Sequence, residues 1–259
     1  MVASSSSEAE IRARYEQAGQ GHVFDTIADL SVDQKASLLE QLDSIPVEKI
    51  SSFLQAAQKD LESISHGGAG GTEITPFSKK VGRSSNAKDM EVATAAGIKA
   101  IERGEVAALV LAGGQGTRLG FDGPKGMYDI GLPSGRTLFQ LLSERIGQLS
   151  WLAHEQEAER SPLPFYIMTS PINHEATVNY FKEHKNFGLE SESVQFFQQG
   201  MLPCLTENGK IIMESASKVA MAPDGNGGIY PSMVQSGMLE DMSKRGVKYL
   251  HVFSIDNAL

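Results

Sequence analysis

The chain has 259 residues, 41% of them hydrophobic, 21% charged and 7% aromatic, an ordinary globular balance that excludes collagen-like, low-complexity and wholly disordered classes. With 23 basic against 32 acidic side chains the formal net charge is −9, which argues against nucleic-acid binding, because that needs a basic stripe to displace counterions. No apolar run reaches the length of a membrane span, and the N-terminus MVASSSSEAEIRARYEQ lacks the apolar core of a signal peptide, so a cytoplasmic protein away from membranes is expected. A single cysteine, Cys204, rules out an internal disulfide framework and a Cys-rich zinc site.

Residues 1–104 read as a helical N-terminal region without strand-like alternation. Ser31 with Gln34 forms a capping-box signature, and Leu38, Leu39, Leu42 and Ile45 then recur on one helical face. A second helix is expected over Val47 to Ile64, and a third over MEVATAAGIKAIERGE. Between them, the Gly/Ser-rich stretch 66–89 reads as a linker. From residue 105 onward strands and helices alternate. VAALVLA (106–112) is a short apolar run suited to a strand buried on both faces. A helix follows over 137–155, a strand over 165–170, a helix over 174–185 and a strand over 193–199. Residues 203–214 suggest a hairpin turning at Asn208-Gly209, 233–246 a helix, and 247–256 a final buried strand. The predicted fold class is α/β, a mostly parallel Rossmann-like sheet over 105–259 with helices on both faces. Ligands on such sheets bind beyond the carboxyl ends of the strands, which selects the segments after 112, 170, 199 and 256.

The first of those segments, LAGGQGTRLGFDGPKGMYDIGLPSG, is the most informative. Gly113, Gly114 and Gly116 let the chain turn sharply and bring backbone N–H groups close to a ligand. Successive N–H groups in a turn make an anion-binding concavity, and Arg118 and Lys125 add fixed positive charge beside it. A dinucleotide fingerprint would need glycine where Leu119 stands, and a Walker loop would need Lys-Ser/Thr after Gly120, where Phe121 and Asp122 stand. The histidines are scattered and show no metal-ligand spacing.

LAGGQGTRLG followed by PKGMYDIGLPS resembles the loop of eukaryotic UDP-N-acetylhexosamine pyrophosphorylases. Related UDP-glucose pyrophosphorylases carry a loop closer to GGLGTxxG…GPKS; Gln115, Arg118 and Lys125-Gly126-Met127 side with the acetylhexosamine group. FFQQGMLPCL (196–205), GKIIMES (209–215), APDGNGGIY (222–230) and HVFSIDN (251–257) match further segments in the same order. The resemblance runs from about residue 20 to 259 and is strongest from 106 on.

What the resemblance implies is a nucleotidyltransferase (GT-A-like) fold and a uridylyltransferase that joins UTP to an N-acetylhexosamine 1-phosphate and releases diphosphate. Such a transfer is mainly positioning and electrostatics, assisted by Mg2+ or Mn2+. By resemblance the backbone of Leu111, Ala112, Gly113 and Gly114 contacts the nucleotide, while Gly116, Thr117 and Arg118 wrap the phosphates. Arg118 and Lys125 are the expected charge stabilisers. Gln199 suits the uracil edge, since its amide offers both donors and an acceptor. Gly225 permits close backbone approach to the nucleoside, Asn226 meets the sugar, Ser254 touches the nucleotide, and Asp256 holds the metal. Members of the family continue well past the position of Leu259, so a chain truncated on its C-terminal side, with an open sheet edge, is expected. Three functions stay open: an active uridylyltransferase for N-acetylglucosamine 1-phosphate, a catalytically incompetent form that binds UTP or a full-length partner, or a UDP-glucose or broad UDP-sugar pyrophosphorylase. Oligomeric state has no signature in the sequence.

Overall fold

The computed structural model describes residues 6–65, 85–154 and 162–257. In chain order its elements are α1 (Glu8–Gln17), α2 (Val32–Ser44), α3 (Ile50–Ser65), α4 (Ala87–Glu102), β1 (Val106–Leu111), α5 (Leu138–Ala153), β2 (Phe165–Thr169), α6 (His174–Glu183), β3 (Val194–Gln198), β4 (Met201–Pro203), β5 (Met213–Ser215), β6 (Lys218–Val219), β7 (Met221–Pro223), α7 (Ile229–Gln235), α8 (Met238–Lys244) and β8 (Tyr249–Ser254). They fall into two compact units: Met1–Lys79 with Met201–Ala222, and Lys80–Gly200 with Pro223–Leu259.

In the first unit local capping starts the helices. Ser7 with Glu10 and Ser31 with Gln34 both form reciprocal capping boxes, which satisfy the free amides of a first turn. Their apolar faces meet in a core of Ile11, Tyr15, Leu38, Leu42 and Ile45, which also takes in Ile211 and Val219. That shared core explains why 201–222 groups with the N-terminal helices and not with the sheet, a grouping that differs from a boundary at 104/105. Two glutamines reinforce it. The buried Gln20 donates from Nε2 to the Gly209 carbonyl at 2.8 Å and accepts at Oε1 from the Ile211 amide at 3.0 Å. Gln41 treats Val219 the same way, accepting from its amide at 2.8 Å and donating to its carbonyl at 3.2 Å. Each side-chain amide thus stands in for a neighbouring strand.

Gly209 turns with φ 76°, as the Asn208-Gly209 signal requires, but the segment around it is not one continuous hairpin. Leu205 and Ile211 form an isolated antiparallel bridge, while β4 lies beside β7 and β5 beside β6. The helix expected over Val47–Ile64 begins with a short 3-10 turn at Val47–Lys49 and becomes α-helical at Ile50. Most of the expected 66–89 linker lies outside the described residues, and Ala87 to Asp89 already belong to α4, capped by the Asn86 side chain.

The second unit is built on a four-stranded, all-parallel sheet in the order β3-β2-β1-β8. Residue alternation serves both faces. Ala108, Val110, Phe165 and Ile167 pack with Leu138, Phe139, Leu142 and Ile146 of α5 and Phe181 of α6; Ala107, Leu109, Tyr166 and Met168 pack with Ile229 and Met233 of α7 and Met242 of α8. α4 contributes Ile101 to the first of these clusters, which explains its place in this unit. Two expectations are corrected here. The helix expected over 233–246 is two, because Gly237 takes the left-handed conformation (φ 76°) between α7 and α8. The last strand is not buried: among the described residues β8 has only β1 beside it, and Tyr249 and Val252 are 59% and 44% exposed.

Candidate functional site

Parallel strands bring their carboxyl ends to one side, so the segments after β1, β2, β3 and β8 share one end of the sheet. All thirteen sequence-predicted site residues belong to this unit, from Leu111 to Asp256.

Leu111 closes β1 in register with Ser254, and its carbonyl accepts from the Ile255 amide at 3.1 Å. The Ala112 amide donates to the Met168 carbonyl at 2.7 Å. Beyond it the loop folds back on itself. The Gly116 amide donates to the Gly123 carbonyl at 2.9 Å, and the Lys125 amide donates to the Gly114 carbonyl at 3.1 Å. These bonds turn loop carbonyls inward. Among the described residues the amides of Gly113, Gly114, Gln115, Thr117 and Arg118 donate to no protein acceptor, as an anion-binding turn requires. Gly116 is the exception, since its amide is already engaged. Its glycine character has a packing cause: a Cβ there would lie 2.7 Å from the Phe121 ring.

Gly113 shows why a glycine stands there. A Cβ on it would fall 2.9 Å from both Nε2 and Oε1 of Gln199, so the missing side chain makes room for that amide. Gln199 itself is fixed by its backbone amide, which donates to the Thr169 carbonyl at 2.8 Å. The structure therefore joins the end of β3 to the glycine loop. It also joins Lys125 to Asp256, whose Nζ and Oδ1 are 2.9 Å apart, with the lysine side chain 21% and the aspartate 63% exposed. The Ser254 hydroxyl lies 3.3 Å from Asp256 Oδ2. Arg118 is exposed and makes no ion pair among the described residues. Gly225 turns with φ 75° ahead of the 3-10 turn Asn226–Gly228, and Asn226 is exposed; among the described residues neither is hydrogen-bonded to the glycine loop.

Three contributors went unread in the sequence. Gly126 has to be glycine because a Cβ would enter the ring of the fully buried Phe139, so the Lys125 turn lies directly on α5. Asp224 sits in a niche left by Gly200 and Gly228; its Oδ1 is buried without a partner, and burial raises its carboxyl above the ordinary range. Asn173, fully buried after β2, donates from Nδ2 to the carbonyls of Ala112 at 3.0 Å and Gly114 at 3.3 Å. Nothing local in the sequence names the distant partners of Asp224 and Asn173.

No group of three or more His, Cys, Asp or Glu side chains is arranged to hold a metal among the described residues. Asp256, an exposed carboxylate with a hydroxyl beside it, is of the kind that holds Mg2+ together with substrate phosphates, and it would have to give up its Lys125 ion pair to do so. No helix among the described residues is long and apolar enough to cross a membrane.

Residues 50–259 match the model of the UTP–glucose-1-phosphate uridylyltransferase family. The chain is 40% identical over 254 residues to UDP-N-acetylglucosamine diphosphorylase 2 of Arabidopsis thaliana, covering 95% of this chain and 49% of the relative. It is 41% identical over 259 residues to the human UDP-N-acetylhexosamine pyrophosphorylase-like protein 1, covering 98% and 51%. Among solved structures it is similar to the uridine diphosphate N-acetylglucosamine pyrophosphorylase of Trypanosoma brucei in complex with inhibitor, with TM-score 0.81 and 30% identity over 100% of this chain and 53% of that one. The chain thus spans about half the length of the curated relatives it matches. A parallel sheet with a glycine loop at its carboxyl end, and these matches in sequence and structure, lead to one conclusion: the chain belongs to the UTP–glucose-1-phosphate uridylyltransferase family.

Proposed function

We propose that this chain binds UTP at the carboxyl end of its parallel sheet and serves a transfer in which UTP and N-acetyl-α-D-glucosamine 1-phosphate give UDP-N-acetylglucosamine and diphosphate. The observation that carries this reading is the convergence of unengaged loop amides, the Gln199 amide against Gly113, and the Lys125–Asp256 pair at one sheet end. The names of the plant and human relatives support an acetylated amino sugar as acceptor. The family description names glucose 1-phosphate, which is the second reading.

In this reading a phosphate oxygen of the sugar phosphate attacks the α-phosphorus in line. The new P–O bond forms as the bond to the leaving diphosphate breaks. Both reactants are anions, so their mutual repulsion has to be offset before they can approach. Loop amides and the cations of Arg118 and Lys125 supply that positive potential and hold it in place before the charge shifts. Gln199 presents donors and an acceptor to the uracil edge, and Gly225 and Asn226 meet the nucleoside and the sugar. Asp256 is the residue that would hold a divalent cation, Mg2+ or Mn2+, which neutralises phosphate oxygens when bound. Lys125, paired to Asp256 at 2.9 Å, is the cation that stands nearest that carboxylate and would face the phosphates beside it. No nucleophilic side chain is needed.

A coupled diphosphate-release assay with UTP, Mg2+ and each sugar phosphate tests the reading. Turnover with N-acetylglucosamine 1-phosphate is expected. Turnover with glucose 1-phosphate alone moves the assignment to the second reading, and UTP binding without turnover restricts the chain to nucleotide binding. Absence of UTP binding by calorimetry overturns the proposal.

A further inference from the structure

Asn173 occupies the N-cap position of α6, where an asparagine ordinarily accepts from the free amides of its own first turn. Here it makes no side-chain bond to the helix at all. The side chain is fully buried and turned the other way. Its Oδ1 accepts from the Ser170 amide at 2.8 Å, and its Nδ2 donates to the carbonyls of Ala112 at 3.0 Å and Gly114 at 3.3 Å. The orientation of the amide follows from its partners: two carbonyls can only accept and one backbone N–H can only donate. The Gly114 carbonyl also takes the Lys125 amide, so one side chain links the end of β2, the end of β1, the glycine loop and the Lys125 turn.

We propose that Asn173 is a positioning residue for UTP: by holding the Ala112 and Gly114 carbonyls inward, its side-chain amide keeps the Gly113 and Gln115 amides turned outward to the nucleotide. A trans peptide unit holds its C=O and the next residue's N–H on opposite sides, so pinning the Ala112 carbonyl inward turns the Gly113 N–H outward and pinning the Gly114 carbonyl inward turns the Gln115 N–H outward. Without that donor the Ala112 carbonyl regains a partner only by rotating toward water, and the Gly113 amide rotates with it, while the Gly114 carbonyl keeps the Lys125 amide but loses its tie to the end of β2. The inference rests on the UTP-site reading above and extends it to a residue that need not touch the nucleotide.

Asn173→Asp isolates the donor. It keeps the oxygen that accepts from Ser170 but places a carboxylate against two carbonyls, and only its protonated form can donate to them. Affinity for UTP, with magnesium supplied, is measured by calorimetry for this variant and the wild-type chain between about pH 6 and pH 9. The nucleotide titrates in both proteins and cancels in the ratio of affinities; the neighbouring His174, whose Nδ1 meets the Thr169 hydroxyl at 2.7 Å, lies beside the new carboxylate, so the aspartate variant is read together with the uncharged alanine variant. The aspartate variant is expected to bind about tenfold more weakly at the alkaline end and to recover as the pH falls. Asn173→Ala, which adds no charge, is expected to bind about tenfold more weakly at every pH with its circular dichroism spectrum unchanged. An affinity equal to wild type in the alanine variant, or a deficit in the aspartate variant that does not respond to pH, overturns the role. If the wild-type chain itself fails to bind UTP, the site reading falls and this inference with it; wild-type binding with unaffected variants removes the inference alone.

Discussion

Gly113 and Gln199 show how a site is set by single residues. A methyl group at 113 would meet the end of the Gln199 amide at 2.9 Å, and that amide is free to swing away. Gly113→Ala is therefore expected to leave the melting temperature almost unchanged while weakening UTP binding about tenfold, because the amide proposed to meet the uracil is displaced without disturbing the core. Calorimetry beside a thermal melt checks both halves; a large loss of stability would show that the glycine serves the fold. Arg118 differs in kind. It is exposed and unpaired among the described residues, so its removal disturbs no packing. Arg118→Ala is expected to lower turnover in the diphosphate-release assay by about a hundredfold, with UTP affinity changed only a few-fold, as for a group aimed at developing charge. An unchanged rate takes Arg118 out of the mechanism.

The elements hold those residues in place. The turn carrying Lys125 lies on α5 through Gly126, where any side chain would enter the Phe139 ring. Phe139 is fully buried and makes an edge-to-face contact with Phe181 of α6 at 5.1 Å between ring centres. It cannot yield without moving a second ring, so Gly126→Ala is expected to destabilise the chain by about 1–3 kcal/mol, measured by urea denaturation. At the other end of the sheet Glu105 fastens the β8 edge to β1. Its carboxylate accepts from Arg103 at 2.7 Å and from Lys248 at 2.6 Å, and these two hydrogen bonds hold its pKa down to about 2. A depressed carboxylate adds stability that is full above its unfolded value, about 4.3, and is lost as the pH falls through the folded one. Glu105→Gln is accordingly expected to flatten the acid side of the stability curve between about pH 4 and pH 2, by a small amount because the pair is exposed. A wild-type slope in the variant would place the acid sensitivity elsewhere.

At the scale of the molecule, two fields would compete for UTP under the proposed function. The chain carries a net charge of −9, which repels a polyanion, while the site gathers Arg118, Lys125 and outward-facing amides. Distance decides between them. The site cations act at contact range, whereas charges farther off than the Debye length, about 8 Å at physiological salt, are screened. Raising salt from about 0.05 to 0.5 M is therefore expected to weaken UTP binding a few-fold in calorimetry. Tighter binding at high salt would mean that whole-chain repulsion dominates and that the cations do not grip the nucleotide. The two compact units have separate cores, and every candidate site residue falls in the sheet-containing one.

The Ser31–Gln34 capping box, the buried strand at 106–111, the turn at Asn208-Gly209 and the glycine loop with its two cations are legible in the sequence alone. Each depends on chemistry within a few residues: a hydroxyl reaching the next turn, a glycine allowing a positive φ, an apolar run too short for a helix. The break at Gly237 was written there as well, but the apolar period running across it masks it. Tertiary structure alone decided the rest. It set Lys125 against Asp256 across 131 positions and Gln199 against Gly113, brought Asn173 to the loop carbonyls, put β4 beside β7, and left β8 at the sheet edge. Such pairings follow from strand order, register and helix packing, which a period of two or 3.6 residues leaves open, because burial requires only that an apolar face be covered and does not specify by what.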